Sequence, residues 1–186
     1  MVQAFDTTRP RRLHAAPPSS GPRVPPHDLD AEESLLGAML LSPDAISVGM
    51  ELCSADDFYK PKHGNLFAAI TKLFSQGEPV DAVTVTDELR RTLDPDLVGE
   101  PADLVALQSA TPSAANAQHY ASIVSELALL RRMVVVAGEI SDLAYSAPSD
   151  VTAAVDEAEQ KSLVSFSNQW TKNIQEQQAL SPRGTK

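Results

Sequence analysis

From Ala114 to Tyr145 the chain contains no proline and a single glycine, Gly138, and its apolar positions fall in a helical rhythm. Tyr120, Ile123, Leu127, Leu130, Val134, Ala137, Ser141 and Ala144 recur at alternating three- and four-residue spacing, which lays a coiled-coil-like seam along one side of a long helix. Val124, Ala128, Val135, Val136 and Ile140 widen that stripe beyond what one neighbour can cover. Ala147-Pro148-Ser149-Asp150 interrupts the helix, and Asp150 can cap a second one carrying Val151, Ala154, Val155 and Ala158 on one face. The pattern predicts an antiparallel helical hairpin over residues 113–165. Its surplus apolar surface is read as a place where chains assemble, with ordinary core of this chain as the alternative.

The preceding segment, residues 27–112, reads as a compact helical bundle. Asp28 offers an N-cap with acids in the first turn, and Leu35, Leu36, Met39 and Leu40 follow at helical spacing. Ser42-Pro43 pairs a cap with a first-turn proline and opens a helix through Leu52. Ser54-Ala55-Asp56-Asp57 has capping-box spacing, with Phe58-Tyr59 as an aromatic plug behind it. Leu66, Phe67, Ile70, Leu73 and Phe74 line an amphipathic helix that Gly77 stops. Val80 to Thr86 is strand-like in its β-branching, yet Asp81 can cap a short helix running to about Arg91, and helix is the reading taken. Pro95 and Gly99 mark a loop, Pro101 opens a helix with Leu104, Val105 and Leu107, and Thr111-Pro112 is expected to close that unit and cap the long helix. The fold class is therefore all-α, a bundle followed by a long hairpin.

Charge changes the picture at both ends. Residues 1–26 hold six prolines with scattered Ser and Arg, a composition that cannot bury enough apolar surface to order itself, so a disordered Pro/Arg-rich tail is expected. That tail is either a basic arm for DNA and anionic partners or a solubilising leader without contacts. Between Asp28 and Gln160, seven Lys and Arg face twenty-three carboxylates. Such a surface repels a phosphate backbone, which argues against direct DNA binding and favours a basic protein partner. Residues 166–186 read as a divergent polar tail with Trp170 loosely packed or exposed.

The candidate chemistry is sparse. Cys53 is the single cysteine, so no internal disulfide framework exists and a cytoplasmic setting fits. No apolar run approaches the roughly twenty residues a bilayer span needs. His27, His63 and His119 lack locally spaced metal-ligating neighbours, and His63 is expected to cap or orient a helix start beside Gly64. No glycine is followed by lysine, so no P-loop cradles a nucleotide in this sequence. Asp56 and Asp57 read as capping groups, and Arg90-Arg91 and Arg131-Arg132 as solvated or carboxylate-bonded pairs, with a specific contact to a protein partner or DNA the other option for them. No catalytic, metal or cofactor residue is assigned.

Pro26 to Leu40, with its Asp-Leu-Asp-Ala-Glu-Glu opening, resembles the start of the N-terminal domain of the bacterial replicative DNA helicase DnaB. Further blocks come in register: Asp56-Asp57-Phe58-Tyr59, His63, Pro79 to Val85, Ala114-Ala115-Asn116, Tyr120 to Val124, and Arg131 with Met133. The likeness covers about residues 26–160 and is closest in usage to an actinobacterial, mycobacterial-like version. Several weak blocks in one order make it specific.

The resemblance implies a non-catalytic collar domain in which hairpins pair between subunits as a trimer of dimers. It also implies that the C-terminal domain of primase docks on the collar, that helicase loader proteins act on the same assembly, and that ATP and magnesium bind a separate motor domain. Applied to this sequence, the self-association residues expected from spacing are Tyr120, Ile123, Leu127, Leu130, Val134 and Ala137. A second reading is a stand-alone helical adaptor or truncated product that modulates helicase assembly. A DNA-binding helical domain is the third, with the acidic surface against it.

Overall fold

Helix begins in the computed structural model where Asp28 turns its side chain back to accept from the Ala31 amide at 2.9 Å. The structure describes residues 24–93 and 100–163. Residues 1–23 and 166–186 of the expected tails, the loop at Pro95 and Gly99, and Trp170 lie outside those residues; Val24, Pro25 and Pro26, expected to be disordered, are described, and Pro26 is held by the Arg131 guanidinium. The elements in order are α1 (Leu29–Leu41), α2 (Pro43–Leu52), a 3-10 turn (Ala55–Asp57), α3 (Pro61–Ser75), α4 (Ala82–Thr92), α5 (Pro101–Ala110), a second 3-10 turn (Ala114–Asn116) and α6 (Ala117–Tyr145). Residues 151–163 are helical again and form α7. Among the described residues there is no strand.

Local chemistry accounts for most of the boundaries. Ser54 and Asp57 complete a reciprocal capping box around the first 3-10 turn. Asp81 accepts from the amides of Val83 and Thr84, at 2.8 and 2.9 Å, which settles the β-branched stretch after it as helix. Gly77 adopts φ +72 after α3, with its amide on Phe74 O and the Glu78 amide on Leu73 O, a Schellman closure that spares a side chain the left-handed region. Asp150 caps α7 through the Ala153 amide at 3.0 Å. One boundary differs from expectation: Thr111-Pro112 does not cap the long helix. The Thr111 hydroxyl donates backward to Leu107 O and closes α5, and α6 starts five residues beyond Pro112 after its own 3-10 turn.

α1 is the axis of the bundle. Leu35, Leu36 and Ala38 are fully buried and Met39 nearly so, packed among α2, α3, α5 and α6. Gly37 lets α5 approach, since a Cβ there would stand 1.9 Å from Thr111 Oγ1 and 2.7 Å from Leu107 O. α6 enters the core through small residues, Ala117, Ala121, Val124, Ser125 and Ala128, and no residue beyond Ala128 on this helix is buried. Its remaining turns leave the bundle and meet α7.

Candidate functional site

The long helix divides at Ala128. Before it, Tyr120 and Ile123 are half-buried at the margin of the bundle core, and Leu127 is half-buried as well. After it the apolar residues face outward: Leu130 is 45% exposed, Met133 48%, Val134 58% and Val135 59%, with Ala137 also exposed. Of the six residues expected from spacing, three flank the bundle and three stand on the free part of the helix. Val124 and Ala128, from the flank that widened the stripe, are buried, together with Ala117, Ala121 and Ser125, which belonged to neither the seam nor that flank. Further along, Ile140, Leu143 and Ala144 face Val151, Ala154 and Val155 across the hairpin, while Val151 and Val155 are still more than half exposed. The hairpin thus carries apolar surface that its two helices leave uncovered.

A polar knot ties this hairpin to the bundle. Arg131 donates through Nη1 to Pro26 O at 2.7 Å and through Nη2 to Asp57 O, and its guanidinium lies 5.9 Å from the centre of the Tyr59 ring. Arg132 donates to Asp57 Oδ1 at 2.8 Å. Burial pulls the Arg131 guanidinium below its ordinary pKa, against the opposing pull of Glu32 and Asp57. The other arginine pair is simpler, Arg90 lying near Glu100 at 3.5 Å and Arg91 bonded to Asp87 on the surface.

Beneath the knot lies a buried acid. Glu32, 1% exposed, accepts from the Tyr59 amide at 2.6 Å with Oε1 and bonds His63 Nδ1 at 2.7 Å with Oε2. Burial alone would raise its carboxyl, but the His63 and Tyr59 bonds with the neighbouring His63 outweigh it, and the net direction is down. His63 therefore does not serve the start of α3 as expected. It points inward and joins α3 to α1. A signal for both residues was present in the sequence, since Glu32 precedes Leu35 and Leu36, and His63 precedes Leu66, Phe67 and Ile70, by the spacing of one core-facing stripe.

Cys53 is buried, its thiol donates to Ala121 O at 3.4 Å, and burial with the nearby Asp57 carboxylate pushes it up to about 12. Among the described residues no group of three His, Cys, Asp or Glu could hold a metal ion, and no helix is long and apolar enough to cross a membrane.

Residues 24–126 match the family model described as the DnaB-like helicase N terminal domain. The chain belongs to that family. It is 47% identical over 137 residues to the replicative DNA helicase DnaB of Leifsonia xyli subsp. xyli, covering 74% of this chain and 30% of that protein. It is likewise 47% identical over 151 residues to DnaB of Mycobacterium leprae, covering 79% of this chain and 25% of the relative. The chain thus spans between a quarter and a third of these two relatives. Among solved structures, the crystal structure of the N-terminal domain of DnaB helicase from Mycobacterium tuberculosis aligns with TM-score 0.69 at 47% identity, covering 74% of this chain and 97% of that one. A structure of the N-terminal domain of DnaB helicase from Helicobacter pylori, described with its interactions with primase, shares the fold at TM-score 0.55 and 23% identity, covering 62% of this chain and 90% of that one. In this chain the exposed strip begins just past the family match, which ends at residue 126.

Proposed function

We propose that this DnaB N-terminal domain is a cytoplasmic, non-catalytic assembly and docking module. Its hairpin pairs with the hairpin of a second copy, the pairs build the collar of a hexameric helicase, and the collar receives the C-terminal domain of primase and helicase loaders. The observation that carries this reading is the exposed strip Leu130, Met133, Val134 and Val135 on a helix already detached from its own core. Apolar side chains contiguous on a projecting helix gain from a like surface by losing contact with water. Primase is the partner named for the Helicobacter pylori domain that shares this fold, and the acidic balance suits a protein partner better than DNA.

Size-exclusion chromatography with light scattering tests the pairing. Wild type is expected to dimerise at high micromolar concentration, and Leu130→Glu/Val134→Glu to run as a monomer with unchanged helicity. A wild-type monomer under those conditions defeats the pairing. A pull-down with the primase C-terminal domain tests docking separately, and failure to retain it removes that part.

A further inference from the structure

The exposed part of α6 is symmetric about its own middle. At about 100° of rotation per residue, Leu130, Val134, Ala137, Gly138, Ser141 and Tyr145 fall in one sector roughly 100° wide. That sector lies across the helix from Ala121, Val124 and Ala128, which are buried in the bundle. All six residues are exposed, Leu130 to 45%, Val134 to 58% and Tyr145 to 87%. The two smallest stand at the centre, and nothing packs within 4 Å of a Cβ at Gly138. Counting outward from Ala137 and Gly138, Leu130 and Tyr145 are each seven residues away, and Val134 and Ser141 each three. Bulk therefore sits at both ends of the strip, with a narrow waist between.

Charge sets a direction on this symmetry. Between Leu130 and Tyr145 the cations, Arg131 and Arg132, precede the middle and the carboxylates, Glu139 and Asp142, follow it. Arg132 and Glu139 are paired within the chain, with Asp57 and Lys161. Arg131 is held by two neutral carbonyls, and Asp142 makes no ion pair among the described residues. Both lie along the same edge of the sector, on opposite sides of its middle. Two such helices laid parallel set each of these charges beside its own like. Laid antiparallel, they part the like charges and bring Arg131 of each copy towards Asp142 of the other.

We propose, resting on the pairing put forward above, that α6 lies antiparallel to α6 of a second copy about a twofold axis at Ala137 and Gly138. Leu130 then meets Tyr145 of the partner subunit, and Val134 meets Ser141 of the partner subunit. The contact is isologous and closes at two chains. Small residues at the axis let the helices approach to the usual separation of about 8–10 Å, while Leu130 and Tyr145 cover each other at the ends. Identical positions separate with distance from the axis: the two copies of Val134 stand about 10 Å apart along the helices, and the two copies of Leu130 about 22 Å.

Oxidative cross-linking in the full chain reads this register. Single cysteines enter as Val134→Cys, Ser141→Cys and Ala137→Cys, with the parent as the control because its Cys53 is buried. Sedimentation equilibrium under reducing conditions first measures dimerisation of the parent and of each variant. Val134→Cys mixed with isotope-labelled Ser141→Cys is expected to give the mixed disulfide at least about tenfold in excess over either homodimer, because a disulfide needs Cα atoms within about 7 Å. Ala137→Cys alone is expected to link to itself. If Val134→Cys or Ser141→Cys weakens the dimer, Leu130→Cys mixed with Tyr145→Cys decides in their place, with the same excess expected. Dimers in which Val134→Cys and Ser141→Cys each link to themselves are parallel, and overturn the register while the pairing stands. Dimers that form none of these links overturn the register as well. A parent that stays monomeric defeats the pairing, and the register with it.

Discussion

Glu32 and His63 meet in the interior 2.7 Å apart, joining α1 to α3 across thirty-one residues of sequence. The carboxylate is also the acceptor for the Tyr59 amide, so removing it strands two donors in a place that water does not reach.

The direction of the Glu32 shift makes stability depend on pH. Its folded carboxyl titrates below the ordinary value, so the unfolded chain binds the proton first as pH falls. The stability it contributes is fully present above the usual glutamate range near 4.3, and drains away as pH falls through and below that range. Glu32→Gln keeps the shape but cannot titrate. It is expected to lose about 1–3 kcal/mol at pH 7 and to show a flatter stability between about pH 5 and pH 3 than the parent. Urea denaturation at a series of pH values measures both, and equal slopes for the two proteins would remove Glu32 from the account.

The α1–α5 contact gives a steric prediction. An alanine at position 37 drives its methyl against Leu107 O, a backbone atom that cannot rotate away, as well as against Thr111 Oγ1. Gly37→Ala is expected to destabilise by about 1–3 kcal/mol, even though alanine favours helix. Thermal melting should show a drop of several degrees, with Gly138→Ala as the comparison, because nothing lies within 4 Å of a Cβ there. Equal melting temperatures for the two variants would mean that α1 and α5 are looser than this.

Much of the fold was legible because its signals are local. Asp28, Asp81 and Asp150 each cap the helix that starts beside them, Gly77 takes the turn expected of it, and the Asp81 cap outweighed the β-branching of Val80 to Thr86. The uneven burial of the α6 stripe was not legible, because spacing places residues on a face without saying where along the helix the bundle ends. Nor were the contacts of Arg131 with Pro26, 105 residues away, since no periodicity encodes a side chain reaching a distant carbonyl. The Glu32–His63 pair falls between these cases. Each residue sits on a core-facing stripe, but only the packing shows that two polar intruders answer each other.

Cys53 offers a reporter for opening of the bundle. Its thiol is buried against the Ala121 carbonyl and held protonated up to about 12. An aromatic disulfide reagent at pH 8 is expected to label the native protein at least roughly a thousandfold more slowly than the urea-unfolded chain, because reaction waits on opening. Leu130→Glu should leave that rate unchanged, since Leu130 stands outside the core. Rapid native labelling would show that α2 and α6 part far more easily than their packing suggests.

The charge on the hairpin predicts how salt acts on the proposed pairing. From Ala117 to Leu163, seven carboxylates stand against three cations, so two hairpins brought side by side repel each other electrostatically while their apolar strips attract. Salt screens the repulsion over about 10 Å at 0.1 M and leaves apolar burial intact. Raising sodium chloride from about 50 to 500 mM, across which the screening length shortens severalfold, is therefore expected to tighten self-association. The Leu130→Glu/Val134→Glu variant should remain monomeric at both concentrations. Sedimentation equilibrium reads the dissociation constants directly. If added salt weakens the wild-type dimer, ion pairs rather than the strip hold it, and the residues to mutate next are Arg131, Arg132 and Lys161 in place of Leu130 and Val134.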